Sequence, residues 1–397
     1  MLHILADRME GMKASEIREL LKLTEQPGMI SFAGGLPDSA LFPLAEIAKA
    51  RDAVLSQQAK EALQYSVTEG YAPLRDWIAD RMNRKHGTAM DREHVLITNG
   101  SQQGLDLSGK LFLNKGDVVL CESPTYLGAL NALRAYEPRF VEAGCDEEGM
   151  LIEQLRKQLE THPVKMIYVI PNFQNPTGRS WSAERRKQFM ACAAEYDAVI
   201  IEDDPYGELW FRPAERPSLL SMDARGQVIH LGSFSKVYCP GYRIGWLTAS
   251  TLWMEKYVLA KQSSDLHSSS ISQREIHAYL TNNDLDRHID KLRDVYRKRR
   301  DAMLQAMRQH LPEEARYHEP SGGLFIWVEL PEGANARALL KECLNRGVAF
   351  VPGEAFFPAG GHENTLRLNY SVSSESDIWT GIERLGAALR QYECAVR

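Results

Sequence analysis

The chain has 397 residues, of which 44% are hydrophobic and 25% are charged, and its formal net charge is −6. This composition is typical of a globular protein, and the length is enough for two domains. We predict no nucleic-acid partner, because the net charge is negative and gives no overall positive potential. We predict no membrane partner, because no apolar run approaches the roughly 20 residues that a transmembrane helix needs. The six cysteines are scattered without a CxxC pair, so we predict no metal site and no disulfide framework, but reduced thiols in a cytoplasmic protein.

Short apolar runs alternate with longer amphipathic stretches, which predicts an α/β fold. The runs are apolar throughout, as expected for strands that are covered on both faces of a sheet. A helix is predicted between two of them, from Ser182 to Ala194. The predicted strands are Val95–Thr98, Val118–Cys121, Met166–Ile170, Val199–Glu202 and Val228–Leu231.

The pattern becomes helical after about Trp253. A highly charged stretch from Asp284 to Arg308 predicts a long helix with a solvated face, because its acidic and basic residues are interleaved and no aromatic residues alternate for base stacking. Two further β patterns, Gly323–Val328 and Thr365–Tyr370, indicate a smaller C-terminal domain.

Polar residues follow four of the predicted strands in succession. Ligands of open α/β sheets bind outside the carboxyl ends of the strands, so we expect these residues to meet at one site. The polar segments are Asn99–Gly104, Glu122–Tyr126, Pro171–Gly178 and Asp203–Tyr206.

Lys236 follows the fifth strand within the run Ser233-Phe234-Ser235-Lys236, and Arg243 comes shortly after it. A lysine amine can form a Schiff base with a carbonyl. The two serine hydroxyls and the guanidinium can hold a phosphate, the arginine in bidentate fashion. Pyridoxal 5'-phosphate carries both an aldehyde and a phosphate on one ring, and we predict it as the cofactor. The alternative for a single lysine is a solvated loop position.

The segment Gly100-Ser101-Gln102 lies between a predicted strand and a predicted helix. Backbone amides at a helix start, together with a serine hydroxyl, form a seat for phosphate. The alternative is that Ser101 is an ordinary N-cap residue. The independent phosphate signal around Lys236 favours the first interpretation.

Asp203 ends an apolar strand, where a buried carboxylate needs a partner, and the protonated nitrogen of a pyridine ring would provide one. Tyr206 could hydrogen-bond the ring oxygen of the same cofactor. The run Asp203–Tyr206 is also typical of a turn, which either Asp203 or Asp204 could form. The spacing to Tyr206 favours Asp203 as the cofactor residue.

Three more residues complete the predicted site. Asn175, in the turn Asn175–Gly178, could donate to the same ring oxygen, and Tyr126 could stack on the ring or be a plain core or surface tyrosine. Arg367 lies within an apolar strand pattern and needs an anionic partner. A substrate α-carboxylate and an internal salt bridge are the two candidates.

Together these residues resemble fold-type I pyridoxal-phosphate aminotransferases of class I/II, and within them the 2-aminoadipate and kynurenine aminotransferase branch, which is related to the C-terminal module of MocR regulators. The resemblance covers essentially the whole chain. The segments that carry it are Ser31–Pro37, Leu63–Ser66, Gly70–Arg75, Gly100–Gly104, Asn175–Gly178, Glu202–Tyr206 and Ser233–Lys236.

The resemblance implies a large domain with a mostly parallel central sheet and a smaller α/β domain. It implies an N-terminal segment over residues 1–45 that belongs to the small domain and covers the substrate, a cofactor-binding domain over 46–275 and a small domain over 276–397. The pattern begins so near the start that we expect no DNA-binding domain. The implied homodimer shares its active sites, because Tyr65 would reach the phosphate in the neighbouring subunit.

The resemblance also assigns roles. Lys236 becomes the Schiff-base lysine and proton shuttle, and Arg367 binds the substrate α-carboxylate with help from Asn175. Gly35 and Arg18 fall in the segment over the substrate, where Arg18 would meet a distal carboxylate. The cofactor would be held by Ser101, Gln102, Tyr126, Asn175, Asp203, Tyr206, Ser233, Ser235, Lys236 and Arg243, and by Tyr65 of the other subunit.

The predicted activity is ping-pong transamination between an L-α-amino acid and a 2-oxo acid, with 2-oxoglutarate as acceptor. The donor classes are 2-aminoadipate or glutamate, aromatic amino acids and branched-chain amino acids. Two alternatives remain on the same scaffold: a pyridoxal-phosphate β-lyase, and a module that senses the cofactor or an amino acid without turnover.

Overall fold

The computed structural model describes residues 4–9, 11–12 and 28–396. The α-helices in this part of the chain are α1 Leu44–Gln57, α2 Ala59–Ala62, α3 Ala72–His86, α4 Ser101–Phe112, α5 Leu127–Arg134, α6 Ile152–Thr161, α7 Ala183–Ala193, α8 Thr251–Asp265, α9 Ser270–Asn282, α10 Leu285–His310, α11 Ala336–Asn345 and α12 Glu375–Val396. The strands are β1 Ile30–Ser31, β2 Val95–Thr98, β3 Val118–Ser123, β4 Arg139–Asp146, β5 Gly149–Met150, β6 Val164–Val169, β7 Val199–Asp203, β8 Val228–Ser233, β9 Gly245–Thr248, β10 Arg316–Tyr317, β11 Phe325–Glu329, β12 Val348–Ala349, β13 Val351–Pro352 and β14 Thr365–Asn369.

The main sheet has eight strands in the order β2-β9-β8-β7-β6-β3-β4-β5. The inner strands β8, β7, β6, β3 and β4 pair in parallel, whereas β9 runs antiparallel to both β8 and β2. Every residue of β7 and β8 is buried, which agrees with a sheet covered on both faces. The predicted α/β class and the mostly parallel sheet are confirmed.

The predicted strands exist, but several continue beyond the last apolar residue. Strand β3 extends to Ser123, which pairs with Gly144, and β7 extends to Asp203, which pairs with Leu231. The polarity of a side chain does not end a strand while the backbone still has a partner. As a result, Asp203 is held by the sheet itself rather than by a loop.

A second sheet of four antiparallel strands has the order β10-β11-β14-β13 and contains both of the predicted C-terminal strands. Strand β1 pairs in parallel with β12, with Ile30 opposite Val348. The first described segment after residue 27 is therefore joined to the C-terminal part of the chain.

Two helices agree closely with the sequence patterns. Ser182 is the N-cap of α7, and its side chain accepts a hydrogen bond from the Arg185 amide. The charged stretch forms α10, which begins after its N-cap Asp284 and buries a stripe that includes Ile289, Leu292 and Tyr296. Among the described helices none is both long and apolar enough to cross a membrane.

Candidate active site

A cavity of about 740 Å³ opens at the carboxyl ends of the main-sheet strands. Strands β2, β3, β6, β7 and β8 run in one direction, so the segments that follow them converge there. The predicted site residues that line this cavity are Ser101, Gln102, Tyr126, Asp203, Tyr206, Ser233, Ser235, Lys236 and Arg243.

The start of α4 forms one wall of the cavity. Its N-cap is Gly100, at φ +72°, and no side chain caps the helix, so Ser101 is the first helical residue rather than the N-cap. Uncapped amides at a helix start attract an anion. The Ser101 hydroxyl lies 3.3 Å from the carbonyl of Gly232, and the Gln102 amide donates to the carbonyl of Gly128 at 3.0 Å.

Arg243 stands beside this helix start in a left-handed conformation, with φ +54°. An arginine at positive φ is uncommon, and such outliers concentrate at functional sites. A Cβ atom on Gly100 would lie 2.6 Å from the Arg243 guanidinium, so glycine permits this close approach. On the other side, the Ser233 hydroxyl accepts a hydrogen bond from the Ser235 amide at 3.0 Å. Cationic and hydroxyl groups thus surround one position suited to phosphate.

Asp203 presents one carboxylate oxygen that has no partner among the described residues. The residue is 2% exposed, the Tyr168 hydroxyl donates to its Oδ2 at 2.8 Å, and its Oδ1 is buried without a hydrogen bond from this part of the chain. Burial raises the pKa of Asp203 to about 7, against the opposing effect of the hydrogen bond from Tyr168. Asp204, by contrast, accepts from the Gly207 amide and forms the turn.

Asn175 links two other predicted residues. Its Nδ2 donates to the Tyr206 hydroxyl at 3.3 Å, and its Oδ1 accepts from Nη1 of Arg367 at 2.7 Å. The peptide bond between Asn175 and Pro176 is cis. Burial raises the pKa of Tyr206 well above its ordinary value, so this phenol is a neutral hydrogen-bond donor.

Arg367, on β14, is 1% exposed, and among the described residues no carboxylate pairs with it. Its Nη2 donates to the carbonyl of Ala33 at 2.6 Å, and its Nε has no partner within residues 28–396 or the described residues before them. The rings of Phe325 and Phe356 lie 4.4 and 5.2 Å from the guanidinium carbon. Burial lowers the pKa of Arg367 to about 10. An internal salt bridge therefore does not account for this arginine, which is poised for an external anion.

Lys236 donates from Nζ to the carbonyl of Gly35 at 2.8 Å. Burial, and then the positive charges of Arg367 and Arg243, lower the pKa of this amine to about 8. A lysine amine that is partly neutral near physiological pH is a competent nucleophile and base. The carbonyl of Gly35 brings the N-terminal segment against the lysine.

Tyr65 does not line this cavity. It is 80% exposed, and its ring lies edge-on to that of His267, at a centroid distance of 6.0 Å. Arg18 lies outside the described residues.

Sequence reasoning missed two residues and one kind of contact. Tyr168 was included in an apolar strand, where its hydroxyl was the only available signal. Leu36 is 51% exposed and lines the cavity. The backbone carbonyls of Ala33 and Gly35 accept hydrogen bonds from Arg367 and Lys236. Residue types do not predict such backbone contacts.

Comparison with known proteins identifies close relatives. The sequence profile described as Aminotransferase class I and II matches residues 28–385. The 2-aminoadipate transaminase of Thermus thermophilus is 45% identical over 381 residues, which cover 95% of this chain and 94% of that protein. Aromatic-amino-acid aminotransferase 1 of Thermococcus litoralis is 43% identical over 386 residues, which cover 96% and 93% of the two chains.

A solved structure agrees with these relatives. The crystal structure of Pyrococcus horikoshii kynurenine aminotransferase, in complex with PMP and with KYN as substrate, superimposes with a TM-score of 0.94 at 40% identity. The match covers 98% of each chain. PMP is the aminated form of pyridoxal phosphate.

The residues of the cavity fit pyridoxal phosphate. The unpartnered Oδ1 of Asp203 suits a protonated ring nitrogen, the amine of Lys236 suits an aldehyde, and the uncapped start of α4 suits a phosphate. Among the described residues, no group of three or more His, Cys, Asp or Glu side chains is arranged to hold a metal ion.

Proposed function

The chain belongs to the aminotransferase class I and II family and uses pyridoxal phosphate, and we propose that it transfers the amino group of an L-α-amino acid to 2-oxoglutarate in a ping-pong reaction. The proposed donors are 2-aminoadipate or glutamate, aromatic amino acids and branched-chain amino acids. The names of the relatives support the dicarboxylic and aromatic classes. The observation that carries the proposal is the amine of Lys236, which shares one cavity with the unpartnered oxygen of Asp203.

When bound, pyridoxal phosphate supplies an aldehyde that accepts the amino group and a ring that delocalises negative charge from the substrate α-carbon. In our proposal Asp203 pairs with the ring nitrogen and keeps it protonated, while Asn175 and Tyr206 donate to the ring oxygen. The residues that hold the phosphate are Ser101, Gln102, Ser233, Ser235 and Arg243, and Tyr126 lies against the ring.

Lys236 acts as the general base and acid. Its neutral amine would take the proton from the substrate α-carbon, and the resulting ammonium would deliver a proton to the cofactor's carbonyl carbon. The pKa of about 8 supports this role, because both protonation states are then available at working pH. Arg367 holds the α-carboxylate in bidentate geometry, so that the α-carbon stays within reach of the lysine.

The protein works as a homodimer in this proposal. Tyr65 belongs to an exposed apolar patch that a second copy of the chain would cover, and its hydroxyl would then reach the phosphate of the partner's site. The exposed fractions are 70% for Leu63, 80% for Tyr65 and 58% for Val67.

We further propose that residues 1–45 close over the substrate as part of the small domain, with 46–275 as the cofactor-binding domain and 276–397 as the small domain. The pairing of β1 with β12 supports the first assignment. Cys121, Cys145, Cys192, Cys239 and Cys343 are free thiols, which supports a cytoplasmic location.

The deciding experiment adds single L-amino acids to the purified holoenzyme without an acceptor and follows the cofactor absorbance. Conversion to the aminated cofactor, reversed by 2-oxoglutarate, supports the proposal, and the fastest donor defines the substrate class. Pyruvate and ammonia from a cysteine-type substrate would instead indicate a β-lyase. A spectrum that no amino acid alters would indicate a sensing module.

Lys236→Ala should abolish turnover because, among the described residues that line the cavity, no other lysine can move the proton. Lys256→Ala, at an exposed position of α8, is the matched control and should retain wild-type activity. Multiple turnovers by Lys236→Ala would refute this mechanism.

A further inference from the structure

We propose that Tyr168 is a positioning residue that holds Asp203 by its Oδ2 atom and so leaves Oδ1 as the oxygen that meets the ring nitrogen of the cofactor. The inference rests on the proposed role of Asp203 and extends it to a residue that does not touch the cofactor. The contact that carries it is the 2.8 Å hydrogen bond from the Tyr168 hydroxyl to Oδ2.

The sheet explains why Tyr168 can reach this carboxylate. Tyr168 lies on β6 directly opposite Ile201 of β7, and Asp203 is the next residue of β7 on the same face. The two residues are thus diagonal neighbours on one face of a parallel strand pair, and the long tyrosine side chain places its hydroxyl 2.8 Å from Oδ2. The contact is therefore built into strand register rather than into a mobile loop.

The two oxygens of Asp203 have different surroundings. Oδ2 accepts from Tyr168, whereas Oδ1 is buried and has no partner in the described part of the chain, and the residue lines the cavity. Among the described residues no cation lies within ion-pair distance of Asp203. A neutral donor fixes a carboxylate without cancelling its charge, so the negative charge remains available to the cofactor.

Tyr168 stays a neutral donor in this setting. It is 1% exposed, and burial together with the charge of Asp203 holds the pKa of its phenol far above the ordinary value. A phenylalanine would fill the same core volume. Only the hydroxyl distinguishes tyrosine here, and the hydrogen bond that it makes is the one to Asp203.

The test compares Tyr168→Phe with Tyr257→Phe, which removes an equally buried hydroxyl that bonds Ser108 at 2.7 Å, away from the cavity. Each cofactor-free protein is titrated with pyridoxal phosphate and with a carbocyclic analogue in which carbon replaces the ring nitrogen. We expect Tyr168→Phe to bind pyridoxal phosphate about tenfold more weakly than the wild-type protein does. The affinity for the carbocyclic analogue should be the same in both proteins. The control should bind both ligands normally.

Equal weakening for both ligands would overturn the proposal, since a general loss of packing does not depend on the ring nitrogen. Unchanged binding of pyridoxal phosphate by a folded Tyr168→Phe protein would also overturn it. In an Asp203→Asn background, Tyr168→Phe should have no further effect on affinity, and a full additional loss there would contradict the pairing.

Transamination by the wild-type protein is measured on the same preparation. Failure of that reaction refutes the proposed function by itself. The binding titrations decide the role of Tyr168 separately, because they need no turnover.

Discussion

Arg367 donates a 2.7 Å hydrogen bond from Nη1 to the side-chain oxygen of Asn175. The nitrogen of the same amide donates to the Tyr206 hydroxyl at 3.3 Å. The residue that we assign to the substrate carboxylate is therefore tied, through a single side chain, to the residues that we assign to the cofactor's ring oxygen. A substitution at Arg367 should therefore alter cofactor binding, and a substitution at Tyr206 should alter substrate binding.

Arg367→Lys should lower kcat/KM for amino acids about 10- to 100-fold. Lysine keeps the charge but loses the paired donors, and a hydrogen bond to a charged group contributes about 1.5–3 kcal/mol. Steady-state kinetics with the best donor measures this. Arg346→Lys, at an exposed position, is the control. An unchanged kcat/KM at full cofactor occupancy would remove Arg367 from the proposed site.

Gly100→Ala should weaken cofactor binding, because the new methyl group would lie 2.6 Å from the Arg243 guanidinium. Gly87→Ala is the control for positive φ: its φ is +69°, but among the described residues nothing lies within 4 Å of the added atom. Both variants force alanine to positive φ, which costs about 1–3 kcal/mol of stability, and the larger loss is expected at Gly100, whose ψ of 170° lies in a region that is essentially restricted to glycine. Titration of the folded proteins with pyridoxal phosphate should show a loss only for Gly100→Ala. A similar affinity for both variants would contradict the phosphate seat.

The rate at which cofactor-free protein incorporates pyridoxal phosphate should rise with pH and reach half of its maximum near pH 8, not near the ordinary lysine value of 10.5. Only the neutral amine attacks the aldehyde, and burial and the charges of Arg367 and Arg243 lower the pKa of Lys236. Arg367→Gln removes a cation and should move the midpoint to higher pH. Stopped-flow absorbance across the pH range checks both, and a midpoint that Arg367→Gln leaves in place would be the contrary result.

Glu202→Gln should destabilise the fold by about 3–5 kcal/mol, because it leaves protonated His230 without its buried counter-charge. Glu202 is fully buried and accepts from Ser218 at 2.7 Å, from the Leu219 amide at 2.9 Å and from His230 at 3.2 Å. Burial alone would raise the pKa of Glu202, but these hydrogen bonds lower it to about 2. In His230, burial acts to lower the pKa, and the hydrogen bond to Glu202 outweighs it and raises the pKa.

The directions of these two pKa shifts define the pH range in which Glu202→Gln should be most destabilising. Ionised Glu202 contributes its full stabilisation above about pH 4.5 and loses it as the pH falls towards about 2. Protonated His230 contributes its full stabilisation below pH 6.5 and loses it as the pH rises through its raised pKa. Urea unfolding should therefore show the largest difference from wild type between these limits. A difference that is constant with pH would argue against a charged pair.

Mixing two inactive variants should restore activity if the dimer shares its sites. In a hybrid of Lys236→Ala and Tyr65→Ala subunits, one site contains the intact Lys236 of one subunit and the intact Tyr65 of the other. Up to about a quarter of wild-type activity should return after subunit exchange, as half of the subunits form hybrids with one good site. Mixtures of either variant with itself are the controls, and no recovery after proven exchange would mean that Tyr65 serves its own subunit.

The sequence predicted what depends on local pattern. The run Val95–Thr98 is a strand at those bounds, and Ser182 caps its helix. Contacts between residues that are far apart in the sequence had no such signal. The partner of Asp203 is a tyrosine on the adjacent strand of the sheet, and Lys236 donates to a backbone carbonyl. These depend on register and on the path of the chain, which residue types do not encode locally.

The contact between Ala33 and Arg367 joins residues that are 334 positions apart in the chain. During synthesis the residues that surround the cofactor, from Ser101 to Arg243, leave the ribosome well before Arg367 does. The half of the site that would receive the substrate can thus form only after Arg367 has also emerged. A nascent chain can assemble its cofactor cradle first, and it gains the means to bind an amino acid later.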